Sequence, residues 1–60
     1  MKSMNNARPL ANEECSVLAY NTGWQRFDHA HMVYHDGGGY DWVNLDTNEV
    51  IENVKEWEYN

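Results

Sequence analysis

His29 and His31 stand two residues apart in a stretch with strand-like alternation. On a strand that spacing puts both imidazoles on one face, with Cβ atoms about 7 Å apart, so both can reach one metal ion. His35 shares the face but lies about 13 Å beyond His31 by strand rise. Asp28 and Asp36 project from the opposite face. Two imidazoles alone make a weak site, and nothing in the sequence demands a third ligand from Cys15 or a carboxylate of another strand. Metal binding by His29 and His31 therefore competes with a plain solvated histidine face.

The other reactive groups point away from catalysis. Cys15 paired with a histidine would make a thiolate nucleophile, but it opens an apolar run and reads as a buried thiol. Ser16 has no nucleophile-elbow sequence around it. Asp36-Gly37-Gly38-Gly39-Tyr40-Asp41 lacks the lysine and helix of a phosphate-binding loop and the ligand spacing of an EF-hand, so it reads as a hairpin connection. Glu56 and Glu58 share one face of a strand and resemble the charged rim of a sheet edge. No catalytic residue and no cofactor is expected, and the chain reads as a non-enzyme.

The aromatic set carries more. Three tryptophans, four tyrosines and one phenylalanine in 60 residues exceed what a few short strands can enclose. Trp24 and Tyr40, both beside turns, are the candidates for exposure. Exposed Trp and Tyr serve as interface anchors, and Glu52, Glu56 and Glu58 would supply an acidic rim. A partner-binding surface of Trp24, Tyr40, Glu52, Glu56 and Glu58 is thus expected, against the alternative that every aromatic serves the core.

Short elements must position these groups. Cys15–Tyr20 is apolar on both faces and bounded by Glu13-Glu14 and Asn21-Thr22-Gly23, which predicts a central strand followed by a tight turn. From Trp24 or Phe27 to His35 the alternation places Ala30, Met32 and Tyr34 toward the core and His29, His31, Val33 and His35 toward water. A third strand is expected over 40–45. Asp46-Thr47-Asn48-Glu49 follows as a turn, with Asn48 able to adopt the left-handed conformation.

The tail admits two readings. Val50, Ile51, Val54 and Trp57 fall at helical spacing, and Asp46 with Glu49 resembles a capping box. The β-branched residues and the alternation at 57–59 favour a hairpin closing on Leu45 and a last strand at about 54–59. Residues 1–12 are polar, contain Pro9, and read as a flexible lead-in that docks through Leu10. The expected architecture is mainly β: a small antiparallel meander of three to four strands over 13–60, with a short C-terminal helix as the alternative.

Sixty residues make one domain at most, burying only about 60 % of the surface the unfolded chain exposes. One cysteine excludes an intrachain disulfide and a zinc site built on several cysteines. The aromatics could supply a compact core, or a core plus an interface in a homodimer. Four Lys/Arg against ten Asp/Glu give a net charge of −6. That field disfavours direct nucleic-acid binding, which rests on basic contacts to phosphate, and attracts a basic partner. No apolar run approaches the ~18 residues of a membrane span. Met1–Asn6 has no hydrophobic stretch of a signal peptide, and a lone cysteine fits a reducing cytoplasm.

The order of these features resembles an uncharacterised family of short bacteriophage and prophage proteins. Its members carry an Arg-Leu-Pro-like opening, a Val-Leu-Val-Tyr strand, a glycine-containing loop before a tryptophan strand, and a closing Val-Thr-His-Trp. The counterparts here are Arg8-Pro9-Leu10, Val17-Leu18-Ala19-Tyr20, Gly37-Gly38-Gly39-Tyr40-Asp41-Trp42 and Val54-Lys55-Glu56-Trp57. The chain departs in the order of Pro9 and Leu10 and in Lys55-Glu56, which replaces Thr-His. The resemblance implies a small β-rich fold, a phage setting in a bacterial host's cytoplasm, and no assigned activity. By analogy with tiny acidic phage proteins, the expected role is to bind and disable a host protein, such as a defence or nucleic-acid enzyme with a basic groove. A metal- or small-ligand-binding module using His29 and His31, and a structural homo-oligomeric component, are the alternatives.

Overall fold

A computed structural model describes all 60 residues. The chain is β throughout, with six strands: β1 Lys2–Ser3, β2 Cys15–Tyr20, β3 Trp24–Tyr34, β4 Tyr40–Asn44, β5 Val50–Ile51 and β6 Val54–Tyr59. They form one antiparallel sheet in the order β1-β6-β2-β3-β4-β5. The meander β2-β3-β4-β5 and the central position of β2 agree with the sequence. The sheet exceeds the expected three to four strands because two-residue edge strands, β1 and β5, have no periodicity to read. The tail is strand, not helix. Val50 and Ile51 pair with Val43 and Trp42, and Trp57 pairs with Val17.

The connection from β5 to β6 dictates the shape. In a flat sheet four strand spacings, about 19 Å, would separate these strands. Only Glu52 and Asn53 join them, and three Cα steps reach at most about 11 Å. The sheet must therefore curl until β5 approaches the β6 side. Trp42 on β4 and Trp57 on β6 consequently meet across the interior, with ring centroids 6.5 Å apart. Two bulges provide bending. Cys15–Val17 on β2 faces the longer stretch Phe27–Ala30 on β3, and Lys55 is the extra residue of β6 opposite Leu18 and Ala19.

The buried interior comprises Cys15, Val17, Ala19, Ala30, Met32, Trp42, Ile51 and Trp57. Ala30 and Met32 are inward as the alternation predicts, but the bulge at 28–29 shifts the phase and turns Phe27 inward beside Val17. Simple alternation places Phe27 with the outward histidines, because a period-2 pattern has no term for an inserted residue.

Residues 1–12 belong to the fold. Three aromatic side chains at one end of the curled sheet need hydrogen-bond partners, and the N-terminal segment supplies them. Trp57 Nε1 donates to the Ala7 carbonyl at 3.0 Å, and the Tyr34 hydroxyl donates to the Pro9 carbonyl at 2.7 Å. The Leu10 amide donates to the Tyr59 hydroxyl at 2.9 Å. Pro9 is buried while the Leu10 side chain stays exposed, so docking runs through Pro9 and the backbone. Tyr34, which the alternation places toward the core, is instead 42 % exposed, its hydroxyl turned to the N-terminal segment. The segment is a strap over this end of the interior.

Three asparagines, Asn12, Asn48 and Asn53, take positive φ, and Asn48 does so in the turn where the sequence predicts it. Asn53 matters most. At φ 59° it turns the two-residue link, its carbonyl accepts from the Tyr20 amide at 3.0 Å, and its side chain donates to Asn21 Oδ1 at 2.9 Å. Asn53→Ala should lower stability by about 1–2 kcal/mol, the left-handed penalty for a side chain with no local compensation. Asn53→Gly should lose less than half of that. Thermal unfolding followed by circular dichroism checks the ranking, at roughly 4–8 °C per kcal/mol for a domain of this size.

Candidate binding surface

The outer face of β6-β2-β3 carries Trp24, one of the two aromatics expected to be exposed. The Asn21-Thr22-Gly23 turn sets Tyr20 directly opposite Trp24. Their rings pack edge to face with centroids 5.1 Å apart, and Trp24 remains 58 % exposed and Tyr20 46 %. The next outer pair along this hairpin is Leu18 with Arg26, and Glu56 flanks Leu18 on the other side. Glu58 follows opposite Ser16. Arg26 lies between two acids: Nε is 2.6 Å from Asp28 and Nη2 is 3.6 Å from Glu58. Its guanidinium holds Asp28 below the ordinary carboxylate range. Glu56 has no such cation. The result is an exposed aromatic pair on a hydrogen-bonded hairpin, with carboxylates on one flank.

Of the five residues predicted from sequence, Trp24, Glu56 and Glu58 share this face. Glu52 sits at the same end in the β5–β6 link, beneath Asn21, whose side-chain amide reaches the Glu52 carbonyl. Tyr40 is elsewhere. It pairs with Tyr34 at the far end of β3, and the Arg8 guanidinium lies 4.9 Å above its ring. A turn location alone could not separate the two aromatics, because each hairpin end faces a different end of the curled sheet. Tyr20 and Leu18 are the surface residues that sequence reasoning left out. The three-residue turn could have identified Tyr20, since it makes residues 20 and 24 cross-strand neighbours.

Two of the three histidines have carboxylate partners. His29 Nδ1 lies 3.0 Å from Glu14 Oε1, His31 sits opposite Val43, and His35 Nε2 lies 2.8 Å from Asp41 Oδ2. No group of three or more His, Cys, Asp or Glu side chains is placed to hold a metal ion. Each of His29 and His35 lies against a carboxylate, a pairing that two-residue spacing cannot show.

The His29–Glu14 pair makes a pH prediction. The hydrogen bond to Glu14, helped by the nearby Asp46 charge, raises His29 above its ordinary 6.5. Hydrogen bonds from His29 and Asn60 lower Glu14 below 4.5. The His29 contribution to stability is full below 6.5 and fades as pH rises through the raised value. The Glu14 contribution is full above 4.5 and fades as pH falls through the lowered value. The pair should therefore stabilise most between those limits, by a small amount because both side chains are about half exposed. Melts of wild type and His29→Gln across this range check it; the difference should narrow on the alkaline side.

Cys15 is fully buried, and its thiol faces the Glu13 carbonyl at 3.3 Å. Burial, with Glu13 and Glu14 nearby, pushes the thiol pKa up, so the nucleophilic thiolate is disfavoured. Gly38, at φ 93°, turns the β3–β4 hairpin, which the His35 and Gly39 backbones close at 2.9 Å. No helix is long and apolar enough to cross a membrane. No family model, characterised protein or solved structure matches this chain.

Proposed function

We propose that this domain is a small acidic accessory protein that binds, and thereby inhibits, a host protein with a basic surface. The carrying observation is the Tyr20–Trp24 pair, exposed on the outer face of a hydrogen-bonded hairpin. A large ring held by its neighbour loses little conformational freedom on docking, the property of an interface hot spot. Glu56 and Glu58 on one flank and Glu52 at the same end, within a net charge of −6, favour encounter with a cationic surface. The resemblance of the chain to short phage and prophage proteins supports a bacterial host's cytoplasm as the setting, with a defence or nucleic-acid enzyme as the class of target. The role rests on binding rather than on catalysis.

The test is parallel capture from a nuclease-treated bacterial lysate by tagged wild type and tagged Trp24→Ala, read by mass spectrometry. One stoichiometric protein held by wild type and lost by the variant supports the reading. Identical captured sets, or none from wild type, reject it.

A further inference from the structure

The two ends of the curled sheet differ. One carries the strap, with Arg8 over Tyr40 and Lys2 over Trp57 and Tyr59 at 5.2 and 5.8 Å. Two of the four Lys/Arg residues are thus at the covered end. The other end opens as a groove of about 470 Å³ between the β2–β3 and β4–β5 hairpins. Phe27, Val50 and Ile51 give it an apolar lining, and Gln25, Glu49 and Glu52 add polar groups. No Lys, Arg or His lines it. None of the four ion pairs of the molecule engages Glu49 or Glu52.

We infer that this groove is a receptor for an arginine side chain of the bound partner. The inference rests on the protein-binding reading for the source of that side chain and adds a groove beside the Trp24 face, with Glu52 common to both. An arginine stem is apolar and its planar head is cationic with five donors. The groove lining has the matching residue types: Phe27, Val50 and Ile51 for the stem and the guanidinium face, and Glu49 and Glu52, neither in an ion pair, with Gln25 as acceptors for the N–H groups. A lysine ammonium would satisfy the charge but not the several divergent acceptors. A carboxylate or phosphate would meet Glu49 and Glu52 with no cation to offset them. The strap residues explain why the opposite end takes no such group, since its rings already carry Lys2 and Arg8.

The experiment is a titration of the isotope-labelled protein with N-acetyl-arginine amide, and separately with its neutral isostere N-acetyl-citrulline amide, followed by amide chemical shifts. Saturable shifts are expected at Gln25, Phe27, Glu49 and Glu52, with a dissociation constant on the order of millimolar for so small a probe. Citrulline should bind at least about tenfold more weakly, a factor set by losing one cation–carboxylate interaction. Glu49→Gln/Glu52→Gln should abolish the preference, while Trp24→Ala should keep it. Absence of shifts at these residues, or equal response to citrulline, overturns the inference using wild type alone. Capture lost in Trp24→Ala without an arginine response would sink the groove and leave the docking reading standing. An arginine response with no captured partner would do the reverse.

Discussion

Trp57→Ala is expected to leave the domain largely unfolded at physiological temperature. Trp57 is 1 % exposed, packs edge to face on Tyr59 at 4.9 Å, and faces Trp42 across the interior. Truncating a buried Trp to Ala costs about 3–5 kcal/mol. The Ala7 carbonyl also loses its donor, for about 1 kcal/mol more. A 60-residue domain holds only roughly 3–9 kcal/mol in all. Urea unfolding should show no native baseline for the variant, and a cooperative transition near the wild-type midpoint would contradict the packing described. Trp57→Phe should fall between, keeping a ring while losing the bond to the strap. Trp42→Phe should cost less than Trp57→Phe, because the Trp42 indole N–H is buried without an acceptor.

The second large effect is on binding. Trp24→Ala should weaken partner affinity by at least about 30-fold, the equivalent of a 2 kcal/mol hot spot. The fold should lose no more than the cross-strand aromatic pair, about 0.5–1.5 kcal/mol. Calorimetric titration against the captured protein, with thermal unfolding of the variant alone, separates the two effects. Tyr40→Ala is the contrasting variant. It removes the ring beneath Arg8 and beside Tyr34, so it should loosen the strap and leave affinity within a few-fold. Loss of binding in Tyr40→Ala with Trp24→Ala unaffected would move the interface to the strapped end. Association should also slow as salt rises, since Glu52 and Glu58 are exposed and Glu56 half-buried, leaving their charges open to screening.

The contrast between Trp24 and Tyr40 shows what was legible locally. Both were predicted near turns and both lie there, at the ends of β3 and β4. Apolarity on both faces of Cys15–Tyr20 reported a strand flanked by neighbours, and β2 lies between β6 and β3. Asn48 was readable because its side chain tolerates the left-handed region. The strap was not readable: its anchors are backbone groups of Ala7, Pro9 and Leu10, which every residue carries alike. Helical spacing in the tail was outweighed by pairing, since Val54 and Trp57 find partners in Ala19 and Val17.

By itself, then, the sequence determined the β class, the central strand and the inward Ala30 and Met32, and it offered Trp24 and Tyr40 as candidates for exposure. These follow from side-chain chemistry at a period of two and from turn residues, both local properties. Tertiary structure alone decided which residues act together. The short Glu52–Asn53 link curls the sheet, and bulges shift the phase of Phe27. Trp42 thereby meets Trp57, and one end is strapped while the other stays open; Tyr40 is kept from Trp24 by the length of β3. Those outcomes depend on closing one chain on itself, and the geometry of closure belongs to no single segment.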